Sequence, residues 1–416
     1  MTRLEQLAPQ RQEPALGSVP SSGMSRVLVG VFAGASGLVV ANIYYSQPLI
    51  GLIAPAVGLQ PGLAGLIVAL TQLGYGAGLL FLVPLSDVFE NRGLVIRALA
   101  AVTLGLLAIA LSSSAATLLV ASAVVGVFSV ATQILVPFAS HLSAETSRGK
   151  VVGTVMSGLL GGIMLARPFS SYIAATLGWR AVFFISAGMM LALLLVLRRV
   201  LPQRHPNSAL TYSQILRSLP TLITETPLLR RRALYQGMLF AGFNLFWTGS
   251  LLLLAKEFGM GQRGIALFAL AGAAGALSAP IAGRLADRGL TRPTTGWALV
   301  AVVLAFGAAI EARLIHSLAL LILAALILDA AVQVCQVLSL RSIYMLAPEL
   351  RGRLNGLFVA FAFLCGAAGS GLAAAIYTSR GWTTLAALGA VCAGVALAQF
   401  GAEYRRMSRR VLFPTY

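Results

Sequence analysis

Long apolar runs alternate with short polar gaps from residue 27 to residue 401. About twelve such runs recur, near 27–51, 62–86, 94–112, 115–138, 151–174, 180–199, 233–255, 264–286, 294–311, 315–340, 354–378 and 382–401. Most hold the ~17–25 residues that a helix rising about 1.5 Å per residue needs to cross the hydrocarbon of a bilayer. The pattern predicts an all-α polytopic membrane protein with twelve transmembrane helices. The longest polar segment, 200–232, divides the runs into six and six. It contains Pro202, Pro206, Pro220 and Pro227, and its stretch YSQILRSLPTLI reads as a short surface helix. The expected organisation is a tail over 1–26, a six-helix bundle over 27–199, a linker over 200–232, a second bundle over 233–401 and a tail over 402–416.

Charge orients this arrangement. About 24 of the 30 Lys and Arg fall in the tails and in alternate gaps, all on one side of the threaded chain. The opposite side holds Arg180, Lys256, Arg263, Arg313 and Arg380, and Arg167 lies within a run. The excess of positive charge makes the crowded face cytoplasmic, with both termini on it, in an inner or plasma membrane. A net charge of +18 spread over short loops fits topology and attraction to anionic membrane lipids, not a nucleic-acid surface. Cys335, Cys365 and Cys392 all lie within apolar runs, so a disulfide framework is not expected. The polar first 25 residues lack the apolar centre of a signal peptide directly behind a basic start.

The two sets of runs share sequence features at matching positions. Ser86-Asp87 follows the second run and Ala286-Asp287 the eighth; Arg148-Gly149-Lys150 precedes the fifth and Arg351-Gly352-Arg353 the eleventh. Gln133 corresponds to Gln336, and Gly178-Trp179 to Gly381-Trp382. Several pairs in register support an internal duplication. Two parallel repeats around a central cavity are a design for rocking transporters. Small-residue clusters inside the runs, among them GLLGG (158–162), AGAAGA (271–276) and GAAGSG (366–371), permit close helix approach.

These features resemble the major facilitator superfamily, whose motif between helices 2 and 3 runs roughly GxLaDrxGrk. Gly283-Arg284-Leu285-Ala286-Asp287-Arg288 matches its core. VPLSDVFENRG keeps Leu85, Asp87 and Arg92 but has Val83 and Glu90 where the family favours Gly. ANIYYSQPL (41–49), MLARPFSSYIAATLGWR and APELRGRLNGLF are similar to bacterial sugar- or drug-efflux members, the arabinose-efflux-permease-like group. The resemblance implies the major facilitator fold, with two six-helix repeats. It also implies secondary transport by alternating access, with proton-driven efflux of a small organic solute as the leading expectation. A facilitator or proton symporter for sugar-like or amino-acid-like solutes is the alternative within transport, and a non-transporting receptor or scaffold the alternative outside it. Two departures weaken the drug-exporter parallel. The fourth run carries no Arg, and the fifth has Gly161-Gly162 then Ala166-Arg167-Pro168 in place of GPxxGG.

Within this frame, Asp329 is the sharpest residue, an acid deep in LILAALILDAAVQVCQ. Facing lipid it would cost about 3 kcal/mol on insertion scales, so it should face the bundle. It is the candidate for proton coupling, with a structural polar contact as the competing role. Arg167, the other buried charge, could attract an anion, offset Asp329, lock its helix or snorkel outward. Asp87, Arg92, Arg148, Asp287, Arg288 and Arg353 are gating candidates, with carboxylates capping helix ends and pairing with Arg across the bundle. Asn42, Tyr45, Gln47, Gln72, Gln133, Asn244, Trp247 and Gln336 are candidates for lining a solute cavity; interfacial or packing roles compete for each. The three histidines do not cluster, there is no ATP-binding loop, and no nucleophile–base pair appears. No enzyme activity, metal, cofactor or obligate protein partner is expected, so energy comes from gradients or exchange.

Overall fold

The computed structural model describes residues 24–206, 210–346 and 350–412, all of them helices and short connections. The expected tail over 1–26 lies almost wholly outside these residues. Fifteen α-helices follow in order among the described residues. They are α1 (Arg26–Ala41), α2 (Ile50–Ala56), α3 (Leu66–Phe81), α4 (Asn91–Leu111), α5 (Ala115–Phe128), α6 (Ala131–Leu142), α7 (Arg148–Leu177) and α8 (Trp179–Val200). Then come α9 (Tyr212–Glu225), α10 (Pro227–Lys256), α11 (Gln262–Ala273), α12 (Ser278–Asp287), α13 (Thr291–Leu314), α14 (Leu318–Tyr344) and α15 (Arg351–Leu412), the last kinked at Gly381. Nine helical stretches among the described residues are long and apolar enough to cross a membrane. Their outer faces are apolar: Leu104 is 67% exposed and Leu304 65%, as expected of side chains that meet lipid tails and not water.

Not every apolar run is one continuous α-helix: 115–138 divides into α5 and α6, and 62–86 has 3₁₀ turns at Pro61–Leu63 and Val83–Asp87 around α3. The run over 27–51 breaks after α1, because Asn42 turns its Nδ2 back onto the carbonyls of Leu38 and Val39 (both 3.1 Å) and Pro48 follows. A side-chain donor competing for helix carbonyls and a residue without N–H both favour a turn. The break leaves Gln47 at the head of a 3₁₀ turn, aimed into the bundle. The run over 264–286 likewise divides into α11, a 3₁₀ turn over Ala274–Leu277, and α12.

Small residues set the closest approaches. A Cβ on Gly158 of α7 would stand 2.8 Å from Ala33 Cα in α1. On the other side of the linker, a Cβ on Gly366 would meet Asn244 Nδ2 at 2.7 Å. The two sides also share turn geometry. Gly178 (φ 84°) and Gly381 (φ 77°) each precede a Trp, and Gly58 (φ 71°) and Gly259 (φ 62°) each end a helix.

The surface helix read in the linker is α9. Thr211 and Gln214 form a capping box at its start, and Tyr212 donates to the Phe81 carbonyl at 2.8 Å. Leu222 anchors it against Leu229, Leu350 and Leu354. The bundle end where α9 lies is called the linker face below. Across the interior, α3 packs on α15 and α7 on α11, joining the segments before and after the linker.

Candidate functional site: a buried polar layer

Residues from six places in the chain meet at one depth. Arg167 (α7), Asp329 (α14), Trp247 and Thr248 (α10), Gln47 (the break after α1), Gln72 (α3) and Ser370 (α15) lie about six to eleven residues, or about 9–16 Å, from the helix ends opposite the linker face. Local sequence helps to place them. Pro168 removes one helical N–H beside Arg167, and Ser170 Oγ donates to the Arg167 carbonyl at 3.0 Å. Gly272 and Gly275 bring α11 and the turn after it onto α14: Cβ atoms there would sit 3.2 Å from Asp329 Oδ2 and 2.5 Å from Asp329 Cβ. Gly272 and Gly275 are thus the surface against which the acid packs.

The hydrogen bonds form a chain across the interior. Arg167 Nε donates to Gln47 Oε1 at 2.8 Å, and Gln47 Nε2 to Thr248 Oγ1 at 3.3 Å. Thr248 donates to Ser370 Oγ at 3.4 Å. The Ser370 hydroxyl has two acceptors in reach, Asn244 Oδ1 at 3.3 Å and Gln72 Oε1 at 3.5 Å. Gln72 Nε2 closes the chain on Asn244 Oδ1 at 2.5 Å, while Asn244 Nδ2 is held by the Phe240 carbonyl at 2.8 Å. Beside this chain, Trp247 Nε1 donates to Asp329 Oδ1 at 2.8 Å.

Arg167 and Asp329 are within electrostatic reach but form no direct ion pair. Trp247 bridges them, with its N–H on the carboxylate and its face 4.6 Å from the guanidinium carbon. The rings of Tyr44 (5.1 Å) and Phe243 (5.4 Å) complete an aromatic surround. Such faces attract a cation, most strongly when it is desolvated. Arg167 is 5% exposed and its Nη2 has no hydrogen-bond partner. Asp329 is only partly buried. Gln333 and Gln336, one and two helical turns further along the same face of α14, are partly exposed too, so a polar stripe runs from Asp329 towards the linker face.

Other candidates lie outside the layer. Asn42 is taken up in the α1 break and touches Met190 Sδ at 3.4 Å. Tyr45 packs on Phe169. Gln133 donates to Tyr75 Oη at 3.0 Å, and that ring lies 4.5 Å from Phe363 of α15. At the linker face, Asp87 is within electrostatic reach of Arg353, from beyond the linker, and of Arg204. Burial holds the Arg204 guanidinium below its usual pKa, an effect that Asp87 opposes. Arg92, near in sequence, donates to the Arg198 carbonyl instead. Asp287 pairs with Arg341 of α14, not with adjacent Arg288. Arg148 begins α7, near His141. Glu90, where the motif favours Gly, caps α4 by accepting from Arg92 N at 2.8 Å and Gly93 N at 2.6 Å. Sequence reasoning did not single out Thr248, Ser370 or Gln333. Gln333 was within reach by helical spacing from Asp329; the two hydroxyls carried no signal among many Ser and Thr in apolar helices.

Among the described residues, no group of three or more His, Cys, Asp or Glu could hold a metal. Comparison with known proteins places this geometry. An uncharacterized transporter of Escherichia coli, YgaY, is 40% identical over 379 residues, covering 91% of this chain and 96% of its own. A probable transporter of Streptomyces coelicolor is 30% identical over 400 residues, covering 92% and 87%. The crystal structure of a D-xylose–proton symporter superposes with TM-score 0.75 at 15% identity, over 90% of this chain and 97% of that one. The human organic anion transporter MFSD10 gives TM-score 0.63 at 20% identity, over 91% and 99%. A family model described as Major Facilitator Superfamily matches residues 32–310. The chain is therefore a multi-pass membrane transport protein, not an enzyme, and it belongs to the major facilitator superfamily.

Proposed function

We propose that the chain carries a small organic solute by alternating access coupled to protons, with the Arg167–Trp247–Asp329 layer as its central site. One observation carries this reading: two opposite charges at one depth, from helices on either side of the linker, bridged by a single indole. Asp329 takes and releases the proton, reached along the stripe of Gln333 and Gln336. Tyr44, Phe243 and Trp247 supply faces for an apolar solute body.

Efflux was the leading expectation from sequence, but the arrangement favours symport. Acid and cation are separate groups, so proton and solute can occupy the layer together. Exchange would need them to compete for one group. A D-xylose–proton symporter shares the fold, so the architecture accommodates symport.

The hydrogen-bonded chain from Gln47 to Gln72 holds the face opposite the linker closed. Asp87, between Arg353 and Arg204, serves as the latch of the linker face when that side shuts. We read twelve crossings: the long stretches with α15 counted twice about Gly381, α1 with α2, and α11 with α12. The linker face is then cytoplasmic and carries both termini, in a bacterial inner membrane whose anionic lipids meet its Arg-rich loops.

The test is purified protein in liposomes, with internal pH recorded as members of a solute library are added outside. Acidification of the lumen on solute entry supports symport. Alkalinisation on solute entry indicates exchange, and solute uptake without proton movement removes the coupling.

A further inference from the structure

The Arg167 guanidinium is incompletely satisfied where it lies. Its Nε is fixed by Gln47, its central carbon lies over the rings of Tyr44, Phe243 and Trp247, and its Nη2 has no acceptor although it is buried. Ring faces stabilise positive charge but do not accept the in-plane N–H groups. The nearby carboxylate does not fill the gap, because Trp247 holds Asp329 by its own N–H and stands between the two. A guanidinium offers a planar fork that fits a carboxylate in bidentate fashion. Buried polar groups ordinarily find partners, so an N–H without one at a central site marks a place where a ligand supplies the acceptor.

We propose that Arg167 binds the carboxylate of the transported solute, and that this anion and one proton on Asp329 occupy the layer together. The ligand class is a small organic monocarboxylate, whose apolar body lies against Tyr44, Phe243 and Trp247. Charge balance selects one anionic group: Arg167 is the single cation facing the layer among the described residues. The groups facing Asp329 are Arg167 from α7, Trp247 from α10, and Gly272 and Gly275 from α11 and the turn after it; Tyr44, beyond Arg167, is the other titratable group nearby. In the empty layer, Arg167 and Asp329 offset one another. A carboxylate on Arg167 takes over that role, so the Asp329 carboxylate takes a proton from hydronium of the bathing solution, forming an O–H bond and leaving water. By linkage, protonation of Asp329 tightens anion binding by the same factor. The pair that moves carries no net charge.

This inference rests on the proton-coupled reading above, and the experiment separates the two. Full-length protein in liposomes receives benzoate, phenylacetate, lactate and pyruvate, with the matching amides and the amine benzylamine as controls. Internal pH is recorded by pyranine with the membrane potential clamped at several values by valinomycin and potassium. The expected result, after subtracting the rate in protein-free liposomes where the neutral acid crosses unaided, is acidification with at least one carboxylate, none with amide or amine, at a rate independent of potential. Arg167→Lys, which keeps charge but loses the fork, should raise the half-saturating carboxylate concentration at least tenfold while retaining proton flux. Asp329→Asn should bind the carboxylate, read by tryptophan fluorescence in detergent, without proton movement. A proton flux driven by amides or amine alone would overturn the anion assignment and leave proton coupling standing. Carboxylate uptake without proton flux would overturn the coupling. Silence with every carboxylate, or full carboxylate-driven flux in folded Arg167→Gln protein, would also overturn the proposal.

Discussion

Replacing Gln72 with Met should open the face opposite the linker. Gln72 donates to Asn244 Oδ1 at 2.5 Å, and the two residues lie on α3 and α10, from either side of the linker. Methionine keeps the length of glutamine and removes the amide. The loss of a neutral hydrogen bond is worth about 0.5–1.5 kcal/mol, and a buried acceptor left without any partner costs about 1–3 kcal/mol. Asn244 Oδ1 keeps Ser370 at 3.3 Å, which limits that second cost. A net bias of about 1–2 kcal/mol corresponds to a 5- to 30-fold change in population. A cysteine at Ala69 reports it: Ala69 is 4% exposed, and a Cβ on Gly371 of α15 would sit 3.5 Å from its Cβ. In protein whose Cys335, Cys365 and Cys392 are replaced, Ala69→Cys should react with an impermeant maleimide about 5–30 times faster once Gln72→Met is added. An unchanged rate in folded protein would refute the view that this bond holds the face shut.

Further outcomes follow from the same geometry. Gly158→Ala should destabilise the protein by about 1–3 kcal/mol in thermal unfolding in detergent, because its new methyl meets Ala33 Cα at 2.8 Å. Gly161→Ala, three residues on with nothing within 4 Å, should be neutral or stabilising by up to about 1 kcal/mol, and equal effects at both sites would sink the packing argument. Trp247→Phe keeps a ring beside Arg167 but removes a hydrogen bond to a charged group worth about 1.5–3 kcal/mol, so proton-coupled flux should fall at least about tenfold, measured by pyranine. Asp87→Asn should lower turnover more than solute affinity in flux assays, and a normal turnover number would count against the latch at Arg353 and Arg204.

How much the sequence discloses depends on the range of the interaction. Apolar period acts locally, so the helices and their order were legible. So were the depths of Arg167 and Asp329, because helix rise converts residue number into distance. The bridging of those two by Trp247 was not legible, since it depends on how α7, α10 and α14 are rotated about their axes. The gating candidates were legible as a set, Arg353 among them, but not as pairs. Arg92 and Arg288 are near the aspartates in sequence, whereas Asp87 faces Arg353 from beyond the linker and Asp287 pairs with Arg341 of the neighbouring helix. The break after α1 was written in Asn42 and Pro48, yet an apolar count over 27–51 conceals it. Thr248 and Ser370 join the chain only because a superposition of backbones brings them within 3.4 Å.

The most direct test of the central claim is solute-driven proton flux in liposomes, native protein against Asp329→Asn. The account predicts a flux in the native protein that is lost in the variant while solute binding persists. Undiminished proton-coupled transport without the Asp329 carboxylate would contradict it.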